Sequence, residues 1–208
     1  MALTLSSFPS LESGDRLSRV EFHRRYCARP DIKKAELVEG VVYVPSPTRA
    51  SVHGRQHAQV MLWLGTYALL YPDVEVLDNA TVFLDAINEP QPDAVLWRPE
   101  PGRVGLTDKG YLEGAPQLIV EVAASSASYD LHDKLRAYQR NRVHEYIVWR
   151  VLDSMIDWYR LEGDEYVWIE PDEDGIIESD QFPGLRLNIP RMLAGDLAAV
   201  LAALPRRS

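Results

Sequence analysis

The chain has 208 residues, of which 46% are hydrophobic and 25% charged, the balance of a globular protein able to bury a full core. Its formal net charge of −9 argues against a protein that coats nucleic acid through a broad basic surface, while an enzyme that meets a few phosphates at one local basic patch stays open. The single cysteine, Cys27, excludes an internal disulfide, no basic stretch precedes an apolar run near the start, and the apolar run 60–71 is too short to span a bilayer, so a soluble cytoplasmic protein is expected.

Ser18 followed by Glu21 forms a capping box that opens a short helix, with Val20, Phe22 and Tyr26 on its buried side and Pro30 closing it. Residues 35–44 divide into two short strands at Glu39-Gly40, and Pro45 to Thr48 read as a turn. Apolar residues then recur at helical spacing from Ser51 to about Tyr71, ending at Pro72. Residues 74–77 and 80–84 suggest a strand pair around Asp78-Asn79. Residues 93–97 (DAVLW) and 117–123 (QLIVEVA) are short apolar runs bounded by turn signals, the pattern of strands buried on both faces. The proline- and glycine-bearing stretch 98–116 between them reads as a long surface loop. Asp130 is placed as the N-cap of a helix from Leu131 to about Arg140. Three strands follow at 144–151, 154–161 and 165–170, and one helix at 189–204 with Pro190 in its first turn. The order is that of an α/β (α+β) protein, a mixed sheet with helices packed on it, in one domain spanning 1–208.

Three charged residues stand in settings unlike ordinary surface charge. Glu121 lies inside the apolar run QLIVEVA, and Asp93 opens DAVLW directly after Pro92. A carboxylate in such a run stays ionised only if it is paired, hydrogen-bonded or bound to a cation. On neighbouring strands the two would make a hard-oxygen pocket suited to Mg²⁺ or Mn²⁺. Lys134 borders the apolar stripe Leu131, Leu135 and Tyr138 and can reach over the end of the preceding strand. Each residue alone also fits a plainer role: a strand-end carboxylate on backbone donors, or a lysine that snorkels to water. His53 and His57 are four apart without an HExxH motif or a cysteine partner, and read as sharing a helix face. Walker, GxGxxG and GxSxG motifs are absent, which leaves nucleotide-binding and serine-hydrolase readings without support.

The strings AELVEGVVY, SPTRASVHG, PDAVLW, GYLEGAPQLIVEVAAS and YDLHDKLRAYQRNRVHEYIVW resemble the Uma2 (DUF820) family of restriction-endonuclease-like proteins, from about Glu36 to Trp149 and more weakly to the C-terminal helix. The resemblance implies the PD-(D/E)xK nuclease fold, with a nuclease core at about 35–150 and C-terminal strands and helix over 151–205. It implies Asp93 and Glu121 as ligands of Mg²⁺ or Mn²⁺ and Lys134 as the lysine that assists the attacking water. Two residues past the second acid, where the fold usually keeps its lysine, stands Ala123; Lys134 on the following helix matches the migrated lysine of Uma2-like sequences. Glu36 matches an upstream acidic position and His53 a position lining the cleft. Ala124 and Ser125 depart from the family's serine and proline after the strand.

The function expected is Mg²⁺-dependent endonucleolytic hydrolysis of DNA, with Asp93, Glu121, Lys134 and Glu36 as catalytic residues. Phosphate contacts are expected from Arg136, Arg140 and Arg142 near the helix, and from Arg49 and Arg55 with His53 before the long helix. A homodimer would bring two sites to two strands. The alternative is a non-catalytic interaction or nucleic-acid-binding protein that keeps the nuclease fold.

Overall fold

The computed structural model describes residues 10–45, 53–124 and 126–205. Helix α1 (Arg19–Cys27) begins as expected, with the Ser18 hydroxyl accepting from the Glu21 amide at 3.4 Å. It buries Phe22, but Val20 is 71% exposed, because two residues turn a helix by roughly 200° and carry position 20 to the opposite side. Strands β1 (Glu36–Val38) and β2 (Val41–Tyr43) form the expected hairpin. Its two turn residues, Glu39 and Gly40, both adopt positive φ (52° and 73°), the handedness that follows the twist of the strands.

Helix α2 (Arg55–Ala68) buries Val60, Trp63, Leu64 and Tyr67 at helical spacing. The expected turn at 46–48 and the expected helix start at 51–52 lie outside the described residues. Strand β3 (Glu75–Asp78) does not pair with β4 (Val82–Phe83), contrary to the expected hairpin. Instead β3 runs antiparallel to β5 (Ala94–Trp97), with Leu77 opposite Val95. Asn79, at φ 49°, turns the chain off the sheet, and β4 pairs in parallel with β7 (Leu112–Gly114). The expected surface loop 98–116 is corrected in the same region. It contains β6 (Val104–Leu106) and β7, an antiparallel pair that buries Val104 and Leu112. Its glycines and prolines mark tight turns rather than the absence of structure.

Strand β8 (Leu118–Ala123) is fully buried, antiparallel to β5 and parallel to β9 (Glu145–Arg150). The connection passes through α3 (Ala127–Tyr129), a π-helical turn (Asp130–Lys134) and α4 (Leu135–Arg140). Asp130 therefore stands inside the helical segment and does not cap it; its amide donates to Ser126 O at 2.9 Å. Strands β10 (Met155–Glu162) and β11 (Glu165–Trp168) extend the sheet as consecutive antiparallel neighbours. Two further strands escaped the sequence reading, β12 (Ile176–Glu178) and β13 (Arg186–Asn188). The expected single helix at 189–204 is two, α5 (Ile189–Leu193) and α6 (Leu197–Ala202). Gly195 at φ 75° breaks them apart, and Asp196 caps the second by accepting from the Ala199 amide.

The main sheet has the order β11-β10-β9-β8-β5-β3. Alternation along β8 divides the core. Leu118, Val120 and Val122 face one cluster with Trp63, Leu64 and Tyr67 of α2, Met192 of α5 and Val200 of α6. Ile119 and Ala123 face the other, with Val95, Tyr138, Tyr146 and Val148. Glu121 lies between Ile119 and Ala123 on that second face. The site grows from this position.

Candidate active site

In the β5–β8 register Ala94 lies opposite Val120, so one further step sets Asp93 beside Glu121. Asp93 closes the ladder with its side chain: Oδ2 accepts from the Val122 amide at 2.8 Å. Glu36 arrives from β1 and accepts from the Gln91 amide at 2.7 Å. Lys134, on the π-helical turn, completes the group. Its ammonium lies 2.8 Å from Glu121 Oε1, 2.9 Å from Glu36 Oε1 and 3.6 Å from Asp130 Oδ1. All five side chains are buried, each residue at most 4% exposed. Tyr138, one helical turn beyond Lys134, donates its hydroxyl to the same oxygen, Glu121 Oε1, at 2.9 Å and helps fix that carboxylate.

The rim carries positive and titratable groups. His53 Nε2 is 3.1 Å from Asp93 Oδ2, and Lys34 Nζ is 3.5 Å from Asp93 Oδ1. His57, four residues after His53, places its Nε2 3.0 Å from the Asp93 carbonyl and 3.1 Å from Asp78 Oδ1. The two histidines thus share a helix face, and that face is turned toward Asp93. Tyr129 packs against Tyr43 in a tilted pair with ring centroids 4.0 Å apart, and its ring lies 5.3 Å from the Lys134 ammonium.

Electrostatics separate the two central acids. Burial acts to raise the Asp93 carboxyl, but the His53 hydrogen bond and the charges of Lys34, His53 and Lys134 outweigh it and hold the group well below the usual range. Burial, together with Asp130, Asp93 and Glu36, pushes Glu121 up to about 8 despite the Lys134 ammonium. Asp130 is raised by burial as well. Lys134 is held far above its ordinary value, because three carboxylates outweigh the burial that would lower it. An isolated ion pair would lower its acid. Here the acid rises along with the lysine, first because it is buried and then because Asp130, Asp93 and Glu36 stand near it.

A hard divalent cation fits this donor set, which offers only carboxylate oxygens close to the ammonium. Among the described residues, however, no three acidic, histidine or cysteine side chains stand arranged to hold a metal as they are. The ammonium occupies the place where the carboxylates converge.

The structure therefore brings together Glu36, Asp93, Glu121, Lys134 and His53. It draws three other expected contacts elsewhere: Arg136 pairs with Asp133, Arg140 with Glu39 and Asp85, and Arg142 with Asp164. Arg55 is exposed at the start of α2, and Arg49 lies outside the described residues. Asp130 and Tyr138 were not recognised as part of the site. Their signal was present, since Asp130, Lys134 and Tyr138 recur every four residues on one helix face.

The sequence model of Uma2, described as "Putative restriction endonuclease", matches residues 19–190. Among solved structures, a "putative nuclease belonging to DUF820" from Anabaena variabilis ATCC 29413 is similar with a TM-score of 0.64. It is 12% identical in sequence, and the match covers 82% of this chain and 96% of that one. At that identity the likeness establishes the fold, a restriction-endonuclease-like one. No curated protein matches.

Proposed function

The chain belongs to the Uma2 family, and from that premise we propose that it is a divalent-metal-dependent endonuclease that hydrolyses DNA phosphodiester bonds. We read residues 1–208 as one nuclease domain working in the cytoplasm. The observation that carries the reading is the convergence of buried Glu36 and Glu121, from two separate strands, on the buried Lys134 ammonium, with buried Asp93 opposite Glu121 at the end of a third.

Asp93 and Glu121 would hold the cation, with Glu36 beside them. When bound, Mg²⁺ or Mn²⁺ supplies Lewis-acid stabilisation of the scissile phosphate and acidifies a coordinated water. The chain's own residues do the rest. The Val122 amide and His53 fix the direction of the Asp93 carboxylate. Tyr138 does the same for Glu121. Lys134 orients the attacking water or stabilises negative charge that builds on the phosphate. Lys34, 27% exposed at the rim, is placed to meet a phosphate of the incoming strand.

A second reading, a non-catalytic protein that keeps the nuclease fold, draws on one observation: the ammonium fills the pocket that a cation needs. One experiment separates the two. Purified protein is incubated with supercoiled plasmid and with single-stranded DNA in Mg²⁺, Mn²⁺ or EDTA, alongside Asp93→Ala and Lys134→Ala. The nuclease reading expects cleavage that EDTA abolishes and that each substitution lowers by about 10²-fold or more. No cleavage with either metal favours the second reading, and cleavage unchanged from that of the unaltered protein in both variants shows contamination. The same gel reports assembly: a monomer nicks plasmid before linearising it, whereas a homodimer linearises it directly.

A further inference from the structure

Lys134 stands in an awkward place for a lysine that serves a cation site. Its ammonium already touches Glu121 and Glu36, two of the carboxylates that face the cation, and is as deeply buried as they are. A divalent cation that approaches the same oxygens meets a like charge at short range, in surroundings that screen it poorly. The ammonium must therefore move when the cation arrives. A buried ammonium moves only to another anion, since leaving it unpaired is prohibitive.

The fold supplies that anion. Asp130 Oδ1 lies 3.6 Å from Lys134 Nζ, too far for a hydrogen bond and near enough for an ion pair, and Asp130 is 2% exposed. The two residues bound a π-helical turn, a rare and wide turn often found at functional sites, which sets the carboxylate four residues ahead of the lysine on the same face. The Asp130 carbonyl is held by the Tyr146 hydroxyl at 3.0 Å, so this turn is pinned to β9.

We propose that Lys134 occupies the pocket as a stand-in cation, and that Asp130 is the positioning residue that receives its ammonium when a divalent cation is taken up. The inference rests on the metal-dependent reading of the site given above. The handover frees Glu121 and Glu36 and keeps the lysine's charge beside the pocket. Beforehand the four carboxylates face the Lys134 ammonium and, at Asp93, the rim Lys34; a divalent cation adds two positive charges and brings the pocket close to neutrality.

The test is a double-mutant cycle read by calorimetric Mn²⁺ binding to the purified protein, with thermal melts to establish folding. Asp130→Asn should weaken Mn²⁺ binding by about tenfold or more, the scale on which groups outside the ligand shell act. In the Lys134→Met background the same change should cost less than about threefold, because no ammonium is left to receive. Asp130→Glu should restore most of the binding. Equal weakening in both backgrounds would make Asp130 an ordinary ligand or background charge; it would overturn the handover and leave the metal-site reading intact. No Mn²⁺ binding by the unaltered protein would overturn both. If Lys134→Met does not fold, ¹⁵N NMR of the lysine ammonium replaces it. Mg²⁺ should shift the Lys134 signal in the unaltered protein and not in Asp130→Asn, and a signal unmoved by saturating Mg²⁺ contradicts the proposal.

Discussion

Glu121 and Glu145 are both carboxylates buried in neighbouring parallel strands, and their surroundings give them different work. Glu121 faces other acids. Glu145 points to the opposite side of the sheet, where Oε2 accepts from the Ser179 hydroxyl and Oε1 from the Asp180 amide at 2.7 Å. It pins the 179–181 segment to β9. Burial still pushes it up to about 7, against those two donors and the Gln181 amide. A carboxyl raised in the folded state adds stability that is fully present below its unfolded value, near 4.5, and is lost as pH rises through about 7. Glu145→Gln should therefore flatten the pH dependence of stability. Urea melts at pH 5 and pH 8 should show the unaltered protein losing up to about 3 kcal/mol more than the variant across that interval. Parallel curves would contradict this assignment.

The same comparison shows what single residues reveal in sequence. Apolar neighbours drew attention to Glu121, but Glu145 in HEYIVW has apolar neighbours too and plays a structural part. Isolated context marks a buried acid; it does not tell a pocket from a pin. Asp93 became legible only beside Glu121, and Lys134 only through the family resemblance. Asp130 was misread because an aspartate ahead of an apolar stripe has the form of a helix cap, and nothing in the local sequence announces a π-helical turn.

At the scale of elements, the sequence reading succeeded where burial is periodic and failed where turns are tight. The stripes of α2 and the apolar runs of β5 and β8 were legible because alternation and helical spacing follow from packing alone. The stretch 98–116 was not, since two three-residue strands offer too few positions for a period to emerge. Gly114 shows how closely that hairpin is built. It adopts φ 96°, and a Cβ there would sit 1.8 Å from the Arg103 carbonyl oxygen. Gly114→Ala should cost about 2–4 kcal/mol by urea melt, from backbone strain and displacement of β6. A loss below about 1 kcal/mol would mean that the loop yields freely, as the unstructured reading of this stretch had it. The break at Gly195 has a similar cause: the helical periodicity of 189–204 is real, but one left-handed residue resets its direction.

For the whole molecule, topology explains why the chemistry lies where it does. The central strands β5 and β8 are buried on both faces, so any acid they carry must be matched by another element. The connection from β8 to β9 supplies the match as Lys134. Charge follows the same logic. The net −9 is spread over a surface on which Arg136, Arg140 and Arg142 pair with nearby carboxylates, so under the proposed function substrate binding would fall to a few groups at the rim such as Lys34 and His53. Among the described residues no helix is long and apolar enough to cross a membrane. The fold class was legible because motifs spread over much of the chain occur in a fixed order; the pocket's shape was not, because it depends on where one ammonium rests. The most direct measurement is a crystal soaked in Mn²⁺ and recorded at the manganese edge. An anomalous peak is expected in contact with the Asp93 and Glu121 carboxylates, with Lys134 drawn toward Asp130. A saturating soak that leaves no peak there, with the ammonium still on Glu121 and Glu36, would contradict that expectation.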